Sequence, residues 1–250
     1  MKKIILSLSL CLIATFVQAD HVMLKTLLEE KSAEFSKGTS EEIKQTFQKS
    51  LDDLAATGIL EKAKNNGDIA PNFVLPDQNG KEVDLYKLLE EGPVVLIWYR
   101  GVWCPYCNIT LRHYQEELGH FKKYGATLVA ISSQLPDSTL STAQKNELEF
   151  TVVSDVEGKV GEEYGVIFTL DETMAKMYKD YGIDLKAAQG NGRNELPLAA
   201  TYIIDQDKKI RFAFLDVDYK KRAEPKYLIN TLSQISDVYS DDHDHHDHEH

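Results

Sequence analysis

The sequence predicts an α/β domain, a mixed central sheet flanked by helices on both faces, with a helical extension on its N-terminal side. Three observations lead there. The run "PVVLIWY" (residues 93–99) is continuously apolar, as suits a strand buried on both faces, and "ATLVAIS" (126–132) reads as a second buried strand. Helix-patterned stretches alternate with these and with later β-rich pieces. Near the end, "ATYIID", the turn "QDKK" and "IRFAFLD" read as an antiparallel hairpin, so the sheet mixes both strand directions.

In chain order, residues 1–19 read as a cleaved secretory leader. Lys2 and Lys3 precede an apolar stretch that is short for a membrane span, and Val17-Gln18-Ala19 offers small-residue cleavage. Cys11 sits inside that stretch and is expected to be discarded with it. The expected location is therefore periplasmic or secreted, with no membrane segment in the mature form.

Residues 20–66 form the helical extension. Leu24, Leu27 and Leu28 recur at helical spacing, Gly38 interrupts, and Thr39-Ser40-Glu41-Glu42 resembles a capping box with Thr39 as the cap. Ile43, Phe47, Leu51 and Leu54 give the next helix an apolar face, expected to pack on the main domain.

The main domain is expected over residues 67–238. It opens with short strand-like pieces around an Asn79-Gly80 turn, followed by the first buried strand. Residues 104–124 and 138–148 are helix-patterned, 151–153 strand-like, and 157–164 and 172–181 helical. A last helix is expected over about residues 222–236. The end of the chain, residues 239–250, is acidic and His-rich, too polar to bury anything, and expected to be disordered.

With 28 basic against 40 acidic side chains, a formal net charge of -12, the chain lacks the positive surface that nucleic acid or an anionic membrane would need. In the tail, His243, His245, His246, His248 and His250 alternate with carboxylates, a donor set that suits a divalent metal such as zinc, copper or nickel. A solvated tail with adventitious affinity is the plainer reading.

The mature chain retains two cysteines, Cys104 and Cys107, in "WCPYC". Pro105 favours the first helical position, which makes Cys104 the N-cap and puts Cys107 in the first turn. Unpaired N–H groups and the helix dipole favour negative charge there, so local geometry gives Cys104 the lower pKa and the greater exposure. Zinc is poorly served, because the nearby His113 and His120 lie along the same helix and read as surface residues. A structural disulfide closing so short a loop would add little stability. Redox chemistry is the preferred reading.

Together, "GDIAPNFVLPDQNGKEVDL", "YRGVWCPYCNITLR", "LVAISSQLPDS", "SDVEGKVGEEYGV" and "TYIID" resemble the peroxiredoxin-like (AhpC/TSA) family of the thioredoxin superfamily, over about residues 27–232. The resemblance implies a thioredoxin fold and reduction of hydrogen peroxide or organic hydroperoxides. It implies no required cofactor, and recycling by a thioredoxin-type protein reductant. It also renames the sulfur. The family's P-x-x-x-[T/S]-x-x-C ends on the attacking cysteine, which here is Cys107, while the threonine position falls on Cys104 and the proline position on Arg100. A family arginine before the late strand falls near Ala199. Arg100 is the expected replacement guanidinium, and Arg193 is a remoter candidate read as a surface residue. For peroxide attack Cys107 is favoured over Cys104, with a Cys104–Cys107 disulfide as product. A thiol:disulfide oxidoreductase led by Cys104, and a metal-binding protein using the tail and the cysteine pair, are the alternatives. The sequence leaves the oligomeric state open.

Overall fold

The computed structural model describes residues 22–244, with side chains described to residue 238. The expected leader and His245, His246, His248 and His250 lie outside the described residues, as does the side chain of His243.

Helices α1 (Leu24–Lys37) and α2 (Glu41–Ala56) make the extension, divided at Gly38 as the pattern indicates. The cap lies one residue later than expected. Thr39 Oγ1 donates back to the Phe35 carbonyl (2.6 Å), so it closes α1, and Ser40 accepts from the Ile43 N–H at the start of α2. A short α3 (Ile59–Lys62) leads to the hairpin β1 (Val74–Pro76) and β2 (Glu82–Asp84). Its loop turns on Gly80 at φ +80°, and the Asp77 carboxylate accepts from the N–H groups of Asn79 and Lys81.

The main sheet is threaded through α4 (Leu85–Glu91), β3 (Val94–Trp98), α5 (Pro105–Glu116), α6 (Leu118–Lys123), β4 (Thr127–Ser132), α7 (Pro136–Lys145), β5 (Thr151–Ser154) and α8 (Lys159–Glu163). After it come β6 (Ile167–Thr169), α9 (Glu172–Asp180), α10 (Leu185–Gln189), β7 (Glu195–Pro197), β8 (Ala199–Ile204), β9 (Ile210–Asp216) and α11 (Pro225–Asp244). The last helix runs to Asp244, beyond the Ser236 expected. The helix expected over 104–124 is two helices, because the backbone at Glu117 (φ -88°, ψ 1°) leaves the helical well. Leu118 and Phe121 beyond the break join Tyr114 in the core.

The five-stranded sheet has the order β5-β4-β3-β8-β9. β3, β4 and β5 are parallel neighbours, β8 is antiparallel to β3, and β9 is antiparallel to β8. β9 therefore runs parallel to β3, and both end at the same edge of the sheet. Successive β3 residues feed opposite cores, as a pleated strand requires. Val95, Ile97 and then Tyr99 meet α1, α5 and α11 on one face, while Val94, Leu96 and Trp98 meet Phe73, Leu85 and Tyr164 on the other. Among the described residues no helix is long and apolar enough to cross a membrane.

The extension contributes to the first of these cores. Leu24 and Leu28 are buried within it, and α1 lies along α5. This overturns one expectation. His113 is buried, not on a helix surface, because α1 covers the face of α5 that the pattern alone leaves open. His120 is exposed, with Nδ1 2.6 Å from Glu117 Oε2.

Replacing Leu24 by alanine should cost about 2–4 kcal/mol, since it removes a buried side chain that the core cannot fully collapse around. Urea unfolding of the reduced protein should show that loss in a single transition. A loss below about 1 kcal/mol would mean that α1 is outside the cooperative unit.

Candidate active site

The site forms where β3 ends and α5 begins. The chain leaves the sheet through Tyr99, Arg100 and Gly101, the last at φ +152°, where an added Cβ would collide with Trp103 and Gln134. Cys104 then caps α5 with Pro105 at its first position, and its sulfur accepts the Cys107 N–H at 3.4 Å. The cap is the one the sequence indicates.

The acidity it produces is reversed. Both thiols are free and buried, Cys107 completely, with their sulfurs 2.7 Å apart. Burial pushes the Cys104 thiol well up, and the neighbouring Cys107 sulfur adds to this, against the weaker pull of the Arg100 and Arg222 charges. Burial alone would raise Cys107 too. There it is overcome by the Cys104 thiol donating to the sulfur, by the Arg222 charge, and by the Arg100 N–H and charge, which together lower Cys107 to about 5. The exposure and acidity expected of Cys104 from its cap position are thus both corrected. The helix terminus favours charge in general, and discrete donors decide which sulfur carries it.

Arg100 enters this arrangement through its backbone. Its N–H lies 3.4 Å from Cys107 Sγ, while its guanidinium hydrogen-bonds the Tyr178 hydroxyl and stacks among Trp103, Tyr178 and Tyr219, 4.1 Å from the centre of the Tyr219 ring. The guanidinium in contact with the sulfur belongs to Arg222, whose Nη2 is 3.4 Å from Cys107 Sγ. Arg222 follows β9, and β9 ends at the same sheet edge as β3, so the topology delivers a residue 115 positions away to the cysteine. The Tyr114 hydroxyl, donating 2.7 Å to the Ala223 carbonyl, fastens that loop to α5. Arg193 is remote from the pair and is held by Glu162 and Glu195.

Sequence reasoning missed Arg222, Tyr178 and Tyr219. Nothing local marks them. The strand order points to the loop that holds Arg222, because β9 and β3 run in the same direction and end on the same side of the sheet.

A model of the AhpC/TSA family matches residues 66–213. The chain belongs to this family. It is 38% identical to the chloroplastic peroxiredoxin Q of Triticum aestivum over 185 residues, 74% of this chain and 72% of that protein. It is 30% identical to peroxiredoxin Bcp of Escherichia coli over 169 residues, 67% of this chain and 95% of the other. Among solved structures, the peroxidoxin BcpB of Mycobacterium tuberculosis aligns with a TM-score of 0.55 at 25% identity, covering 68% of this chain and 97% of that one. The fold is the thioredoxin fold of the peroxiredoxins, and the chain is a thiol-dependent peroxidase. Peroxiredoxins require no cofactor. Among the described residues no group of three or more His, Cys, Asp or Glu side chains could hold a metal. Arg222 and the helices α1 and α2 lie outside the stretch matched to the family.

Replacing Arg222 by methionine should raise the Cys107 pKa by about one to two units, the effect of losing an opposite charge at contact distance. Thiolate absorbance at 240 nm, followed against pH in the Cys104→Ser background, reads this directly. An unchanged titration would show that Arg222 does not act on the sulfur.

Proposed function

We propose that this protein is an exported peroxidase in which Cys107 attacks the peroxide and Cys104 resolves the product. The observation that carries this is the convergence of Arg222 Nη2, the Arg100 N–H and the Cys104 thiol on one buried sulfur. A thiolate is the nucleophile, and these groups stabilise it. The Cys107 thiolate attacks one peroxide oxygen, an S–O bond forms as the O–O bond breaks, and the other oxygen leaves and takes a proton as water or alcohol. The Arg222 guanidinium is placed to stabilise charge developing on the leaving oxygen, the role given to fixed donors in such sites. Cys104, already in contact, condenses with the sulfenic acid to give the disulfide and one water. A thioredoxin-type dithiol returns the pair to thiols. Hydrogen peroxide and organic hydroperoxides are both within reach of this chemistry.

The second-order rate with hydrogen peroxide, measured on the reduced protein, tests the assignment. Cys107→Ser should fall to the background of a small thiol. Cys104→Ser should keep the first turnover and lose recycling. Survival of the rate in Cys107→Ser would transfer the attack to Cys104. Because the Cys107 pKa is lowered, the reactive thiolate is present throughout the neutral range and is lost as pH falls through about 5. The rate should therefore be flat above about pH 6 and decline below that. A rate still climbing between pH 7 and 9 would contradict this.

Export rests on the charged, apolar and small-residue order of residues 1–19. Expressed from the full chain in a Gram-negative host, the protein should be recovered from the periplasm with Asp20 as its first residue by mass spectrometry. An intact Met1 in the cytoplasm would refute the leader.

A further inference from the structure

The two sulfurs face different surroundings. Cys107 is enclosed by its donors. Cys104 forms part of the wall of an open pocket of about 260 Å³ that Cys107 does not line. The pocket is aromatic, built by Trp103 from the cysteine loop, Tyr178 from α9, Tyr219 from the loop after β9, and Phe35 and Phe47 from the helical extension. The rings form a connected wall, with Phe35–Phe47, Phe47–Tyr178 and Trp103–Tyr178 meeting edge to face at 5.8, 6.4 and 5.7 Å. Among the described residues Arg100 is its only charged lining residue, and three of the rings already clad the guanidinium. Its Nε–H is buried without an acceptor.

We propose that this pocket is the docking site of the reductant, that the incoming thiolate attacks the Cys104 sulfur, and that the lining selects a protein dithiol set in an apolar surface over a small charged thiol. The inference rests on the disulfide cycle proposed above.

Direction of attack follows from the leaving group. Thiol–disulfide exchange is fastest when the departing sulfur is the better-stabilised thiolate. In the Cys104–Cys107 disulfide, cleavage at Cys104 releases Cys107 to the Arg222 guanidinium and the Arg100 N–H. Cleavage at Cys107 would release Cys104, whose backbone donor is the Cys107 N–H alone. The balance is simple. The reductant's first thiolate bonds to Cys104 as the S–S bond breaks, and Cys107 leaves with the electron pair. The reductant's second thiol then displaces Cys104, so that two electrons and two protons pass from dithiol to pair and the reductant ends as a disulfide.

Selection follows from the walls. A thiol carrying carboxylates or sulfonates would have to shed their hydration against aromatic faces, and the Arg100 guanidinium is already covered by rings. An apolar surface loses nothing by entering.

The test uses the full-length mature protein, oxidised with diamide so that it does not depend on any peroxide reaction. Reduction by 2-phenylethanethiol and by 2-mercaptoethanesulfonate is followed in stopped flow, each rate corrected for thiolate fraction. The apolar thiol should be faster by about tenfold or more, the discrimination expected of a hydrophobic pocket. In Phe47→Ala and Trp103→Ala the ratio should fall toward one, with the charged thiol serving as the internal control for folding. In a parallel reaction quenched early with iodoacetamide, tandem mass spectrometry should find the thiol adduct on Cys104 and the carbamidomethyl group on Cys107. Equal rates for the two thiols, no reaction with either, a ratio unmoved by both variants, or the adduct on Cys107 would each overturn the proposal. A slow peroxide reaction beside a selective, Cys104-directed reduction would sink the peroxidase cycle and leave the docking site standing.

Discussion

The site depends on keeping a negative sulfur out of water. A thiolate as buried as Cys107 is unfavourable by itself, and its burial pulls against ionisation. Three donors from three places reverse that pull: a backbone N–H at the end of β3, a thiol at the N-cap of α5, and a guanidinium from the loop after β9. Each is fixed by something larger. The N–H is held by the turn at Gly101, the thiol by Pro105 and the helix start, and the guanidinium by the register of β8 on β3 and β9 on β8.

Three departures from the family pattern are thereby accommodated within one fold. Where the pattern has a threonine, Cys104 supplies a hydrogen-bond donor that can also become a covalent partner. Where the pattern has an arginine before the late strand, the position falls near Ala199, which is buried, and the guanidinium in contact with the sulfur comes from Arg222 in the loop after β9. Arg100, at the proline position, meets the sulfur through its backbone N–H, and its guanidinium organises Trp103, Tyr178 and Tyr219.

Local patterns in the sequence announced most of the fold and only part of the site. Continuous apolar runs gave β3 and β4, the Asn79-Gly80 turn gave the first hairpin, and Pro105 gave the start of α5, because each signal is written in adjacent residues. The three-residue strands β6 and β7 and the five-residue α10 are too short to show a period, and so were not legible. His113 was misjudged because amphipathicity describes one helix, and α1 arrives from elsewhere to cover it. The same limit hid Arg222. Its effect on Cys107 is a consequence of strand order, and a reading confined to the "WCPYC" cap assigned the acidity to the wrong sulfur.

The 2.7 Å separation of the sulfurs has a consequence for damage. Both cysteines sit on the opening turn of one helix, so a sulfenic acid formed at Cys107 has its trap in place before it forms. Closure needs no unwinding of α5 and no partner subunit, and it competes with a second peroxide whose arrival depends on concentration. Capture by the neighbour is unimolecular and therefore independent of how much oxidant surrounds the protein. In the proposed cycle, little time is therefore spent in the state from which irreversible sulfinic acid arises.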